Sequence, residues 1–465
     1  MKHLSIISSL IISIGLTQDS SSFMNSPHNL SGDAASTSLS VCKSCHVSGG
    51  EGYQNADDIN QTCINCHDGS VTHGFQSRGE MKNISSLTSF YHSFQLDSKQ
   101  FADLPVEGNQ IHCATCHDPH DNSHGNFLRK PVKELCSSCH ADKNLEASLH
   151  GYSKSIVKDV MGEIECSTCH DIHLISPNRP LLQADENSLC ISCHDGIQDN
   201  ENEIPALNDI RIPMNKLYTH LGMDQFHPKG KSISCSDCHN PHTIQENDVG
   251  FVDGVLHGVD GFTTFGKQVS NVTYEYEICY KCHSTNTQSP FSINIGEKFS
   301  TTNKSFHPIE GVSPNPSASM SLKSNYVSIG LINCSDCHGN DNAFGIQGIH
   351  GSNHEGLLVK KYSRSPFTQE STLQDNELCF SCHDYDYIVE SGGFRWHKLH
   401  IETAQYNCNS CHDSHGSPVF EFLIDLNKPY IQPTHTGDMD YTSIGDGSGS
   451  CTLSCHGHIH QNQSY

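Results

Sequence analysis

The sequence predicts a mostly irregular chain, with short α-helices and a few small β-hairpins, around an apolar core that its own side chains do not supply. Three observations predict it. Only 35% of the 465 residues are hydrophobic, with a single tryptophan, Trp396, where ordinary globular chains run about 45–50% apolar. All 24 cysteines fall into twelve pairs, each followed at once by histidine. No sustained 3.6-residue apolar period marks a helix bundle.

Eleven of the pairs read CxxCH. They are Cys42 and Cys45 before His46, Cys63 and Cys66 before His67, Cys113 and Cys116 before His117, and Cys136 and Cys139 before His140. Next come Cys166 and Cys169 before His170, Cys190 and Cys193 before His194, Cys235 and Cys238 before His239, and Cys279 and Cys282 before His283. The CxxCH series ends with Cys334 and Cys337 before His338, Cys379 and Cys382 before His383, and Cys408 and Cys411 before His412. The twelfth pair, Cys451 and Cys455 before His456, has one extra residue between its cysteines. The motif is that of c-type haem attachment. Two thiols add to the haem vinyl groups, and the adjacent histidine binds iron from the proximal side.

Other uses of cysteine fit less well. Disulfides use even cysteine numbers but demand no histidine after every second one. Structural zinc needs no adjoining histidine in four-cysteine sites and places it differently in mixed ones. A thioredoxin-like CxxC occurs once or twice, in one βαβ unit. Twelve haems c are therefore expected, and they would form the core that the side chains lack. With 465 residues shared among twelve motifs, most of the polypeptide is a wrapper one layer thick.

The chain carries 27 Lys and Arg against 52 Asp and Glu, a formal net charge of −25. Nucleic acid is not an expected partner, because phosphate binding needs clustered basic residues. The charge serves solubility, or the steering of a basic redox partner. Residues 1–17 read as a secretory signal: Lys2 and His3 precede an apolar run from Leu4 to Leu16. That run is too short to span a bilayer comfortably, and no cysteine near its end suggests a lipid anchor. The expectation is an exported protein, periplasmic or extracellular at the cell surface, without a membrane span.

Internal repetition organises the remainder. An apolar residue precedes four even-numbered motifs, at Leu135, Leu189, Ile278 and Leu378. A histidine follows three residues after the motif histidine in four odd-numbered ones, at His120, His173, His242 and His415. The unit is a pair of motifs, and six pairs are expected at residues 18–80, 81–145, 146–205, 206–290, 291–390 and 391–465. Within pairs one to three the first cysteines lie 21, 23 and 24 residues apart, and within pairs four to six 44, 45 and 43.

The stretches CATCHDPH…LRKPVKELCSSCH and CSTCHDIH…RPLLQADENSLCISCH resemble the doubled CXXCH family of multihaem cytochromes c. The segment from Phe422 to Gly457, with its CTLSCHG, is similar to the close of such proteins. The resemblance covers nearly the whole chain after residue 17. It implies short helices at the haem motifs, long irregular connections, closely spaced haems and bis-histidine irons.

Counts also favour bis-histidine ligation. Twelve of the 34 histidines follow cysteine pairs, and ample others remain for twelve distal positions, whereas methionines number only eight. One expected distal set follows the odd motifs: His120, His173, His242 and His415, with His350 standing in where Asp341 breaks the rule and His73 where Gly49 does. His350-Gly351-Ser352 repeats His415-Gly416-Ser417, which favours His350 over His354. The second set lies upstream of the odd motifs: His28, His92, His150, His227, His307 and His400. The spare histidines are His112, His124, His220, His257, His354, His397, His435, His458 and His460, of which His460 competes for a place at the last haem.

Strand character is expected at Phe262 to Tyr276 and at Val419 to Ile431, and loop at Gly445 to Gly449. The expected function is electron transfer along closely spaced haems, between redox partner proteins or to an extracellular acceptor, with no catalytic residue. The alternatives are a multihaem reductase with one open iron, and a subunit of a conductive filament built by self-association. No motif replaces its histidine with the lysine that often marks an open iron, so a non-enzyme is expected.

Overall fold

The structure is a computed structural model. It describes residue 45 and residues 56–67, 103–106, 111–143, 145–152, 154–157, 160–173, 181–196, 209–220, 233–284, 294–315, 320–327, 330–392, 394–445 and 448–465. The chain divides into two compact units, Met1–Leu189 and Cys190–Tyr465. Among the described residues the longest helix has 12 residues, Ala56–His67, and no helix is long and apolar enough to cross a membrane. The signal expected at residues 1–17 lies outside the described residues.

In the first unit, helices coincide with attachment motifs. Ala56–His67 ends on the second motif, and Cys113–Cys116 and Cys166–Cys169 are single turns on the third and fifth. Val132–Ser137 begins after Pro131, whose ring presets the backbone for a helix start. An antiparallel hairpin pairs Lys154–Val157 with Val160–Glu163.

Among the described residues the second unit has two small apolar cores. One joins Val252, Val259, Val272 and Ile278. It seats the nine-residue helix Glu275–His283 against the short hairpin Gly261–Phe262 and Gln268–Val269. Strand was expected through Tyr276, but Tyr274 instead N-caps this helix, which begins at Glu275. The other core joins Leu426, Ile431 and Leu453, with Cys451 and Cys455 packed on it.

That second core lies under a four-stranded antiparallel sheet of β1 (Ile431–Gln432), β2 (Asp440–Gly445), β3 (Ser448–Cys455) and β4 (His458–Ser464). The strand expected from Val419 is confined to β1 at its far end, because residues 419–430 form the return over the eleventh motif. Loop was expected from Gly445 to Gly449, but Gly445, Ser448 and Gly449 lie in the strands, because Gly445 pairs with Ser448 and Ser443 with Gly449. The twelfth motif lies in β3 rather than in a helix, because its residues pair with β2 and β4.

Two further strand pairs bring distant residues together. Tyr218–Thr219 pairs with Gly351–Ser352, and Ser305–Phe306 pairs with Gly416–Ser417. Each sets one histidine beside another: His220 next to His350, and His307 next to His415, whose carbonyl accepts from His307 N at 3.1 Å. The two glycines answer one steric demand. A Cβ on Gly351 would meet Pro213 O at 1.9 Å, and one on Gly416 would meet Lys298 O at 1.9 Å.

Candidate functional site

Each helical motif is one closed turn. The motif histidine N–H donates to the first cysteine's carbonyl at 2.9–3.0 Å in the motifs at Cys113, Cys136, Cys166, Cys190, Cys235, Cys334, Cys379 and Cys408. That turn sets cysteines i and i+3 on one side, as a two-point attachment requires. The residue types between them explain the turn. Thr115, Thr168, Asp237 and Asp336 each accept from the N–H of the residue before the first cysteine, at 3.1, 3.0, 2.8 and 2.7 Å, which satisfies a donor left open at a helix start.

A clasp closes over the odd motifs. His117, His170, His338 and His412 form β-bridges with Leu128, Leu182, Leu358 and Ile424. The residue before each bridge takes a left-handed backbone: Phe127 (φ 57), Leu181 (φ 54), Leu357 (φ 58) and Leu423 (φ 59). Bulky side chains adopt this conformation at a cost of about 1–2 kcal/mol each, so the surrounding contacts hold them there. The clasp delivers carbonyls to the imidazoles. His117 Nδ1 donates to Asn126 O at 2.9 Å, His239 Nδ1 to Val255 O at 2.9 Å, His338 Nδ1 to Gly356 O at 2.7 Å and His412 Nδ1 to Phe422 O at 2.7 Å. A carbonyl can only accept, so Nδ1 carries the proton and Nε2 keeps its lone pair for a metal.

A second device positions the histidine three residues on. Asp118, Asp171, Asn240 and Asp413 accept from the backbone N–H of His120, His173, His242 and His415 at 3.0, 2.9, 3.1 and 2.9 Å. The Asp413 carboxylate also stands 3.5 Å from His415 Nδ1 and 2.9 Å from Lys298 Nζ. Burial works to raise Asp413, but the hydrogen bonds from His415 and Lys298 hold it well below the usual carboxylate range.

Among the described residues seven motif histidines face a second histidine at closely similar separations, among them His456, 6.1 Å from His458 and 6.0 Å from His460. Ring centres are 6.0 Å apart for His117 and His173, 6.0 Å for His239 and His350, and 6.5 Å for His283 and His220. They are 6.4 Å apart for His338 and His415, 6.3 Å for His383 and His307, and 6.3 Å for His412 and His397. Two imidazoles bound to opposite sides of one iron, with metal–nitrogen bonds of about 2 Å, stand about 6.3 Å apart centre to centre. The donor sets therefore fit axial ligation of haem iron. Burial pushes His283, His350, His383 and His397 down to about 4, and lowers His117, His220, His307, His338 and His412. Neutral imidazoles, which can ligate a metal, are thereby favoured.

The cysteines order the motifs. In the first unit the Cys63 thiol is hydrogen-bonded to Cys113, and Cys136 to Cys166. Cys116, raised by burial, also feels the charge of Cys139. In the second unit Cys279 is hydrogen-bonded to Cys334, and Cys379 to Cys408. Between these contacts, Cys238 lies within electrostatic reach of Cys279, Cys337 of Cys382, and Cys411 of Cys455. Motifs two to five thus adjoin in chain order in the first unit, and motifs seven to twelve in the second. Side chains reinforce these junctions: Asn60 Oδ1 accepts from Cys113 N at 2.8 Å, and Glu275 from Ser335 N at 2.8 Å.

Of the expected distal histidines, the structure brings His173, His307, His350 and His415 to a motif histidine. His120 and His242 occupy their turns, His150 lies on the short helix Leu149–Tyr152, and His400 faces His460 at 6.3 Å. His28, His73, His92 and His227 lie outside the described residues, as do Cys42 and His46. Two histidines set aside as spare, His220 and His397, stand opposite His283 and His412. The signal for His220 is its place directly after a residue pair that meets His-Gly-Ser, as for His307. His397 has no comparable signal.

Residues 36–179 match the family model for outer membrane cytochromes like MtrC and MtrF, domains II and IV. Residues 332–413 match the model for cytochrome c554 and c-prime. A multiheme cytochrome MtrA of Shewanella baltica is 32% identical over 113 residues, which cover 22% of this chain and 32% of that protein. The chain thus matches about a third of that relative's length. No solved structure matches. Cysteine pairs, lone-pair imidazoles and these likenesses agree in supporting a multihaem c-type cytochrome family.

Proposed function

We propose that the protein carries twelve haems c and passes electrons along them in chain order, between redox partner proteins or to an acceptor outside the cell. The observation that carries this reading is the succession of adjoining motifs, two to five in the first unit and seven to twelve in the second. Each of the 24 cysteines would hold a thioether, and each motif histidine a proximal position. When bound, the haems supply the one-electron chemistry. The protein's own part is to fix two neutral imidazoles per iron, exclude water from them and tune their basicity through carbonyls and carboxylates.

The facing pairs support one ligand rule. An odd motif draws its distal histidine from just beyond the next odd motif, as His117 with His173, His239 with His350, and His338 with His415. An even motif draws its own from upstream of the preceding odd motif, as His283 with His220 and His383 with His307. The eleventh motif has no later odd motif and takes His397. The irons of the third, seventh and ninth motifs would thus each tie one haem pair to the next, while those of the eighth, tenth and eleventh draw both ligands from their own pair.

Charge and location follow the same reading. A net charge of −25 favours basic partners by electrostatic steering, and the protein is exported. The test is the absorption spectrum of the purified, mature protein with its haem content by intact mass. Twelve haems, all low-spin when oxidised and unaltered by nitrite or cyanide, are expected. A high-spin iron that binds and reduces nitrite would replace the conduit with a reductase.

A further inference from the structure

In the third, fifth, seventh and eleventh motifs, the residue after the motif histidine has a backbone task that needs no charge. Asn240 performs it with an amide, accepting from His242 N at 3.1 Å and donating to Gly258 O at 2.9 Å. Asp171 and Asp413 perform it with a carboxylate, accepting from His173 N and His415 N. The oxygen that takes the backbone N–H also stands 3.6 Å from His173 Nδ1 and 3.5 Å from His415 Nδ1. The same pair recurs at Asp118 and His120, at 3.5 Å. What a carboxylate adds over the amide is its charge toward the ring.

That charge falls on rings that face a motif histidine of another haem pair. His173 faces His117 of the third motif and His415 faces His338 of the ninth, whereas Asp171 and Asp413 adjoin the fifth and the eleventh. A proton on Nδ1, drawn toward the carboxylate, leaves Nε2 for the metal. Such an imidazole is a stronger donor, and it stabilises ferric over ferrous iron. Both carboxylates are largely shielded, with side chains 20% and 17% exposed, so their charge is less screened than in water.

The ninth site is the more elaborate. Lys298, on the short helix Ile295–Phe299, holds the other oxygen of Asp413 at 2.9 Å. Phe299 of the same helix packs edge-on against His415, with ring centres 5.5 Å apart. The seventh motif differs. Its facing ring, His350, has Nδ1 buried without a hydrogen-bond partner among the described residues. Burial, His239 and His220 lower the pKa of His350, and what opposes them is the Gln347 backbone rather than a carboxylate.

We propose that Asp171 and Asp413 are positioning residues that lower the potentials of the third and ninth haems through the imidazoles of His173 and His415, a device that the seventh haem lacks. This rests on the haem reading above and deepens it. The potential of one haem is set by a carboxylate that adjoins the motif of the next pair, so the tuning crosses the same junction that the electron crosses.

The test is optical and paramagnetic-resonance potentiometry of the full-length, haem-loaded protein, with haem count by intact and peptide mass. Asp413→Asn keeps the backbone acceptor and removes the charge. It should raise one midpoint potential, at unchanged haem count and with every iron low-spin. Lys298→Met keeps the stem and releases the carboxylate, and it should lower the same potential. On a His415→Met background, which has no Nδ1 proton, both shifts should shrink markedly. Asp171→Asn should raise a different potential, the one that His173→Met moves. Unmoved potentials, or shifts of the same size on the His415→Met background, would overturn the inference, since a purely structural carboxylate or a diffuse field would give them. If the parent peptides of Cys113 and Cys334 carry no haem, the haem reading itself fails and this inference with it, a result that mass alone reveals.

Discussion

His338 and His415 stand 6.4 Å apart with ring planes 5° from parallel, although His415 follows the eleventh motif and His338 belongs to the ninth. The antiparallel contact of Phe306 with Gly416 makes this possible, because it carries the His415 segment back over the ninth motif. Replacing His415 should therefore alter the iron of the ninth motif and leave that of the eleventh intact. His415→Met is expected to keep that iron low-spin and to raise its potential by on the order of 100 mV. Potentiometry followed optically, with His412 and His397 unchanged, checks it. A change assigned to the eleventh haem would contradict the offset between motif and ligand.

The fourth pair offers a choice between two histidines seven residues apart in sequence, His220 and His227. His220 faces His283 at 6.5 Å and is lowered by burial. His220→Ala should open one iron, seen as a high-spin signal in electron paramagnetic resonance, while His227→Ala should leave every haem low-spin. The reverse pattern would return the ligand to His227.

Gly416 is a steric requirement rather than a flexible joint. A Cβ there would collide with the Lys298 carbonyl at 1.9 Å, and backbone cannot yield as a side chain can. Gly416→Ala should destabilise the protein by more than about 2 kcal/mol and disturb the low-spin spectrum through both His307 and His415. Gly437, with φ +87 and nothing within 4 Å of its Cβ position, is the control. Gly437→Ala should cost only about 1–2 kcal/mol of left-handed strain and leave the spectrum unchanged. Denaturant titrations of the two haem-loaded variants compare them directly.

Legibility in the sequence followed the range of the interactions. The attachment motifs are local, and their turns close within five residues, so spacing alone marks them. His350-Gly351-Ser352 and His415-Gly416-Ser417 could be matched by eye because both must accept the same strand contact and the same close carbonyl. The choice of His220 over His227 depends on a pairing between Thr219 and Gly351, a long-range register that no local pattern encodes. His397 was set aside for the same reason, since only the fold brings it to His412. The C-terminal sheet escaped notice because Gly445, Ser448 and Gly449 are loop-type residues that cross-strand pairing nonetheless draws into β2 and β3. The twelfth motif is marked in the sequence by the extra residue between its cysteines, but its place in a strand follows only from its cross-strand register with β4.

Glu275 and Ser335 test whether junctions between motifs are built by the protein as well as by haem. Glu275 is buried on the helix of the eighth motif, and its carboxylate accepts from Ser335 N at 2.8 Å and Ser335 Oγ at 2.6 Å in the ninth. Burial raises its pKa, and the Ser335 bonds oppose that shift. Glu275→Ala strips the partner from a backbone N–H at the start of the Cys334 turn, which should cost about 1–3 kcal/mol. Ser335→Ala removes only the hydroxyl bond and should cost about 1 kcal/mol. The two losses should not add, because both act on one contact, and a double-mutant cycle should return a coupling of at least about 0.5 kcal/mol. Additive losses would mean that the Cys279 and Cys334 motifs are held together by their haems without help from this side chain.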